Sequence, residues 1–393
     1  MRIKNPLKLA FVSLFAISLA IILGAQALSS VSAKKNPELA LSAFPLNGHA
    51  LEELAFDRFT QAATDPNNLT TAAQDAAHLA HEAIRIEPLA PKAHAILALA
   101  ETDPEKRRQL IDTASKLNRR NLALQSLMLE QRLQDNNYDG VIETLDQILR
   151  VHPRRRNDFF PVLTQALSQE QTVTSFTDLL KNDLPWREAF LRYAVGKNEA
   201  LSSLAAIRGK IDLDDELFDQ RLISNLVKNG SFADARRLYL DITKQNSHNA
   251  KDGAQLDWRS TYAPFDWAFA DERGFRAQPS VDGKELEIRI QAGQGGVIAS
   301  RIIEAPTGPF SIQINHKLEP KGQSEDVKLQ LTCAGMTTPF FEEPLGSSKN
   351  ILAVTSRPED CAFIAMAVNG RAWSGRPAIR GSLEKISIRP IEQ

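Results

Sequence analysis

The chain has 393 residues, with 47 lysines and arginines against 48 aspartates and glutamates and a formal net charge of -1. That balance gives no support to nucleic-acid binding, which needs a basic face or stripe, while the length is enough for two or three domains with separate cores. Seven scattered histidines and two cysteines offer no pair at metal-ligand spacing, so no metal or other cofactor is expected.

Arg2, Lys4 and Lys8 lead into an apolar run from Leu9 to Leu23 that carries only two serines. Residues 1–33 therefore read as a membrane-targeting segment. Ala25-Gln26-Ala27 and Val31-Ser32-Ala33 are small-residue sites of the kind at which signal peptides are cleaved. Counted from Leu9 to Leu28, the segment also reaches the ~20 residues that cross a hydrocarbon core of about 30 Å. The expectation is an uncleaved anchor, single-pass in the inner membrane, with the remaining domains periplasmic. A cleaved periplasmic protein is the alternative, and the leading positive charges export the rest of the chain in either case. No cysteine follows the run to carry a lipid.

Between residues 37 and 250 apolar positions recur at helical period. In the stretch from Gln125 to Pro153, Met128, Leu129, Arg132 and Leu133 share one face, and Asn136-Asn137 breaks the helix. Tyr138, Val141, Leu145 and Ile148 form the next stripe, and Pro153 stops it. A helix pair of this kind cannot bury its stripe alone and has to stack on neighbours. The unit resembles the tetratricopeptide repeat: Tyr138 and Pro153 occupy the family's aromatic and proline positions, Val141 stands for its alanine and Arg132 for its tyrosine. Leu222, Leu226, Gly230, Phe232, Ala235 and Tyr239 follow the same order, with Ser247 where the closing proline would be, and Ala76, Ala83 and Pro88 fit a third copy. The linker points Pro45, Pro88, Arg119 and Pro153 are spaced by 43, 31 and 34 residues, and only the last two intervals fit the family period of about 34. The resemblance implies an α-solenoid offering a concave surface to a protein or peptide partner; an irregular helical bundle is the other reading, and residues 160–216 match no repeat. Arg119-Arg120 and Arg154-Arg155-Arg156 fall just past helix ends, where cations are favoured. The acidic run Asp212, Asp214, Asp215 and Glu216 has Leu217 where a calcium loop needs glycine, and reads as a helix cap.

Near residues 250–262 the period changes to that of strands, and a domain over 256–393 is expected. Phe265, Trp267 and Phe269 alternate with Asp266 and Ala268; Leu286, Ile288 and Ile290, then Phe310, Ile312 and Ile314, alternate in the same way. Val327, Leu329, Leu331 and Cys333 share a face, as do Cys361, Phe363, Ala365 and Ala367. Turns are expected at Asp282-Gly283, Gly308-Pro309 and Asn369-Gly370, and a hairpin turn at Gly293-Gln294-Gly295-Gly296. The fold class that follows is α then β: a membrane helix, a solenoid, and an antiparallel β-sandwich of jelly-roll type. Cys333 and Cys361 fall in phase with inward-facing residues, which predicts a disulfide in an exported domain, two reduced core cysteines being the alternative.

The F-D-W-A-F stretch at Phe265 and the closing G-S-L-E-K-I-S-I resemble the jelly-roll modules that accompany carbohydrate-active proteins. The resemblance implies a glycan surface. Trp373 lies between glycines with Arg371 and Arg376 beside it, and Trp258 is the other aromatic candidate. Catalytic patterns are absent: His78 and His81 lack the glutamate of a zinc-hydrolase helix, and Glu342-Glu343 are neighbours on a strand or loop. The expectation is a non-enzymatic, membrane-tethered adaptor that binds an envelope protein, which the resemblances connect with assembly or export of a surface polysaccharide. A carbohydrate-binding or glycan-cleaving protein acting through the sandwich is the alternative.

Overall fold

The computed structural model describes residues 6–244, 255–346, 349–384 and 386–391. Arg2, Lys4, Ser247 and most of the polar linker lie outside them. Two compact units are formed, Met1–Ala166 and Leu167–Gln393.

The first unit is helical: α1 (Pro6–Ser32), α2 (Pro37–Ala43), α3 (Gly48–Ala62), α4 (Leu69–Ile86), α5 (Pro91–Ala100), α6 (Pro104–Leu117), α7 (Leu122–Gln134), α8 (Tyr138–Val151) and α9 (Arg156–Leu167). Short polar residues start them. The side chains of Asn36, Asn47, Asp103, Asn121 and Asn137 each accept a backbone N–H of the first turn, satisfying donors that have no partner inside a helix. Each helix from α3 to α7 packs on the next, and α3 also touches α5 as α5 touches α7. Helix pairs are thus stacked through their first members. Fully buried alanines, Ala73, Ala80, Ala83 and Ala93, set the close approach of α3, α4 and α5.

In the α7–α8 pair the small residue at the helix crossing is Gly140, one position before Val141. A Cβ there would lie 2.8 Å from Arg132 Cδ. Arg132 uses the space to donate to Gly140 O at 2.5 Å and Thr144 Oγ1 at 2.6 Å. An arginine can therefore stand where the resemblance expects a tyrosine: its stem packs and its fork is satisfied.

The second unit opens with α10 (Val173–Leu180), α11 (Arg187–Ala194), α12 (Leu201–Arg208), α13 (Glu216–Lys228) and α14 (Phe232–Thr243). Asp215 caps α13 by accepting Phe218 N at 3.0 Å, so the acidic run serves the helix. Among the described residues, thirteen strands follow: β1 (Gln255–Leu256), β2 (Ala268–Phe269), β3 (Asp271–Glu272), β4 (Phe275–Pro279), β5 (Leu286–Ile290), β6 (Gly295–Glu304), β7 (Phe310–Glu319), β8 (Val327–Cys333), β9 (Pro339–Pro344), β10 (Lys349–Val354), β11 (Phe363–Arg371), β12 (Ile379–Leu383) and β13 (Ile386–Pro390). One antiparallel sheet runs β1-β13-β7-β12-β5-β4-β3, with β10 also on β7, and the other runs β2-β6-β11-β8-β9. Ile288, Ile290, Ile312 and Ile314 of the first meet Leu329, Leu331, Ile364 and Met366 of the second in one core. The architecture is therefore a helical region followed by an antiparallel sandwich.

Several strand readings shift. β5 and β6 belong to different sheets, so Gly293–Gly296 is a crossing between layers and not a hairpin. Asn369 and Gly370 stay inside β11, where the glycine leaves room for the Ile290 and Ile298 methyls. Only Ala268–Phe269 of F-D-W-A-F is strand, and Asp266 is buried instead of facing solvent. Tyr239 Oη donates to Asp266 Oδ1 at 2.8 Å, and Tyr262 N donates to Oδ2 at 3.0 Å. Phe232 lies 5.9 Å from Phe363, and Tyr239 lies 5.5 Å from Phe265. Helix α14 thereby turns its aromatic face to the sandwich. The switch from helix to strand falls near residue 250, but compactness does not follow it: the helices from α10 onward share a unit with the strands.

Cys333 and Cys361 are bonded across a separation of 28 residues. Only Cys333 sits on a strand. Ile364, Met366 and Val368 are the inward residues of β11, one step out of the expected phase, and Cys361 reaches the core from the loop before it. Both are buried. Replacing both by serine is expected to remove about 3 kcal/mol of stability in the chain-entropy account, read as a lower unfolding temperature that reductant no longer changes.

Candidate functional site

The loop after β11 places its aromatic residue at the surface. Backbone bonds from Gly293 N to Ala372 O (2.6 Å) and from Ala372 N to Gln294 O (2.9 Å) tie this loop to the β5–β6 crossing. Gly375, at φ +85°, turns the chain back towards β12. Trp373 is 46% exposed. Its Nε1 donates to Asp326 Oδ1 at 3.1 Å, and Arg376 Nη1 donates to Asp326 Oδ2 at 3.3 Å. The Arg371 guanidinium lies 4.1 Å from the indole centroid, within reach of a cation–π attraction. Gly295, paired with Arg371 across β6 and β11, has no Cβ to collide with the arginine stem. Trp373, Arg371 and Arg376 are thus brought together, and Asp326 orients two of them.

Asp326 was not legible in the sequence. It ends the short 3-10 segment before β8, some fifty positions from the tryptophan, and no local pattern marks it. Trp258 departs from the expectation: it is 4% exposed and packs 4.7 Å from Trp267. The F-D-W-A-F segment folds over it, so a two-tryptophan platform does not form. Chemically the loop offers one half-covered indole face and two cationic donors, enough to hold a hydroxyl-rich or anionic group by stacking and hydrogen bonds.

The other ionisable side chains singled out in the sequence are exposed or paired. His78 and His81 are exposed on α4. Glu342 is paired with Lys328 at 2.7 Å on the open surface. Among the described residues, no group of three or more His, Cys, Asp or Glu side chains could hold a metal ion. Burial pushes the Tyr239 hydroxyl up to about 12, with the Asp266 charge adding to it, and holds the Arg301 guanidinium below its ordinary value. Arg301 donates to Phe265 O at 2.6 Å and lies 5.4 Å from the Trp267 ring. These groups join α14 to the sandwich.

At the other end of the chain, α1 contains a 23-residue stretch, Ala10–Ser32, long and apolar enough to cross a membrane. Phe11, Phe15, Ile21 and Leu23 are all more than half exposed. Its last turn differs. Ser29 is fully buried and its Oγ accepts from Asn47 Nδ2 at 2.8 Å, while Ala33 packs with Ala40 and Ala50.

No protein-family model and no curated protein matches the chain. Among solved structures, a chain of "accessory secretory protein 1,2 and 3" from Streptococcus pneumoniae is similar at 10% identity and a TM-score of 0.24. The match covers 35% of this chain and 96% of that one. So slight a likeness assigns neither fold nor function.

Proposed function

We propose that the chain is a non-enzymatic, membrane-tethered scaffold, with the helical pairs and the sandwich held outside the cytoplasm and the helical pairs receiving an envelope protein or peptide. One observation carries the reading: the apolar helix α1 ends inside the packed helical unit. Cleavage after Ala33 would remove Ser29 from Asn47 and Ala33 from the small cluster with Ala40 and Ala50, and cleavage after Ala27 would leave that last turn without the helix that leads into it. A retained α1 is apolar on every face along the stretch that would meet lipid. The disulfide in the second unit suits an oxidising compartment, which supports a periplasmic setting for that unit behind an inner-membrane anchor. Stacked helix pairs present extended surfaces, a geometry for contact with a partner.

The test has two readouts on the native membrane protein. Intact mass is expected to retain the N-terminal segment, and a photo-crosslinker at the exposed positions His81 or Glu130 is expected to give one reproducible adduct. A mature chain beginning at Leu28 or Lys34 would overturn the anchor, and absence of a reproducible adduct at either position would overturn the partner-binding helical surface.

A further inference from the structure

The outer face of the larger sheet carries an arrangement that no folding requirement explains. Strand pairing puts Arg276 of β4 opposite Arg289 of β5, and Arg289 opposite Arg380 of β12. All three side chains are exposed. Neighbouring strands lie roughly 4.8 Å apart, so the three arginines form a row across β4, β5 and β12. Directly opposed like charges destabilise a sheet. The row ends in acids, Asp271 beyond Arg276 and Glu319 beyond Arg380. Asp271 holds Arg276 at 2.9 Å. Among the described residues, Arg289 and Arg380 have no ion-pair partner.

We propose that this row is a binding surface for a linear acidic polysaccharide, whose carboxylates are taken by the forks of Arg289 and Arg380. It goes beyond the scaffold reading and stands on different residues, at a site distinct from the Trp373 loop. Arginine matches a carboxylate with two parallel N–H donors. β5 and β12 have neighbours on both edges, so no backbone is free to add a peptide strand, and the face can be read by side chains alone. The residues flanking the row are polar. Gln291 lies across Gly274, where a Cβ would meet its Oε1 at 2.5 Å, and Gln278 bonds to Glu287 at 3.1 Å; such groups suit hydroxyls and give no pocket for apolar side chains or lipid. Asp271, Glu287 and Glu319 stand close by, so a surface charged throughout, such as a nucleic-acid backbone or an anionic bilayer, would be repelled. A sugar chain with carboxylates separated by neutral hydroxyls meets both the row and its acidic borders.

The detergent-solubilised full chain, titrated calorimetrically with oligomers of galacturonate, mannuronate and glucuronate, is expected to bind at least one and to bind it more weakly as salt rises. Neutral dextran is expected not to bind. Arg289→Gln with Arg380→Gln should weaken binding about tenfold or more, the scale of one lost charge-assisted bond. Arg289→Lys with Arg380→Lys should fall in between, because the charge stays and the fork goes. The glutamine variant is expected to melt no lower than the parent, since like-charge opposition is relieved. No binding to any of the three uronates, unchanged binding in the glutamine variant, or equal binding of polyglutamate would each overturn the proposal, the last by pointing to an acidic peptide. A lower melting temperature with unchanged affinity would make the row structural.

Discussion

Asp266→Ala is expected to cost about 3–5 kcal/mol, because it strands buried polar groups on both sides of the α14–sandwich contact. The carboxylate is 5% exposed and accepts from the Tyr239 hydroxyl and the Tyr262 amide. It is also an anion acting on the buried guanidinium of Arg301, which Arg236 and Arg259 repel. Without it a cation stays in the interior with less compensation. Tyr239→Phe removes one charge-assisted bond and is expected to cost less, about 1.5–3 kcal/mol. The two losses should not add, since they share that bond. Hydrogen exchange over residues 232–243 is the local readout, and it should rise in both variants. Unchanged protection in Asp266→Ala would show that aromatic packing alone holds α14 in place.

The same contact gives a pH dependence of definite sign. Tyr239 has a folded value of about 12 against an ordinary 10.0. Below pH 10 the hydroxyl is protonated in both states and its contribution to stability is fully present. As pH rises through 10 and then towards 12 the unfolded chain releases its proton first, so stability falls across that window. In Tyr239→Phe this group's share of the alkaline loss should disappear. An equal alkaline slope in parent and variant would remove Tyr239 from the account.

Periodicity made the order of elements readable. The helical stripe of α8, the alternation of β5, β7 and β8, and the change of period near residue 250 all depend on spacing within one element. What crossed between elements was hidden. The burial of Asp266 depends on a tyrosine 27 positions earlier; read within its own strand, an aspartate between two aromatic residues faces solvent. Trp258 failed as a surface residue for a similar reason, because its cover is supplied by Trp267 folding back onto it. Cys361 found its partner although its phase was misread, since a loop residue escapes the two-residue repeat of a strand. At the Trp373 loop the aromatic and both arginines were visible within six residues, but Asp326, which fixes two of them, arrives from another part of the fold. The arginine row is the limiting case. Each arginine is an unremarkable outward residue in its own strand, and only the register between strands brings the three together.

Arg208→Ala should be the most damaging change within the helices of the second unit, at about 3–5 kcal/mol near neutral pH. Arg208 Nε and Nη2 donate to the two oxygens of Asp219 at 2.6 and 2.8 Å, and further bonds run to the carbonyls of Ile211 and Leu213. The pair joins the end of α12 to the first turn of α13 and is almost wholly buried. Burial raises the Asp219 carboxyl above its ordinary 3.8, and the hydrogen bond and charge of Arg208 pull against that rise. Removing the arginine leaves burial unopposed and moves the carboxyl higher still. A raised folded value means that stability is fully present below the unfolded value of 3.8 and is lost as pH climbs through the folded one. The deficit of Arg208→Ala against the parent should therefore be largest at neutral pH and shrink on acidification, as protonated Asp219 ceases to need a cation. Thermal unfolding of parent and variant across pH 3.5 to 7, the scale on which carboxylates titrate, would check this; a deficit independent of pH would mean that the backbone bonds of Arg208 matter more than its charge. Arg208→Met combined with Asp219→Leu removes both charges together and is expected to recover most of the loss, because a buried ion pair is worth little more than apolar packing of similar volume.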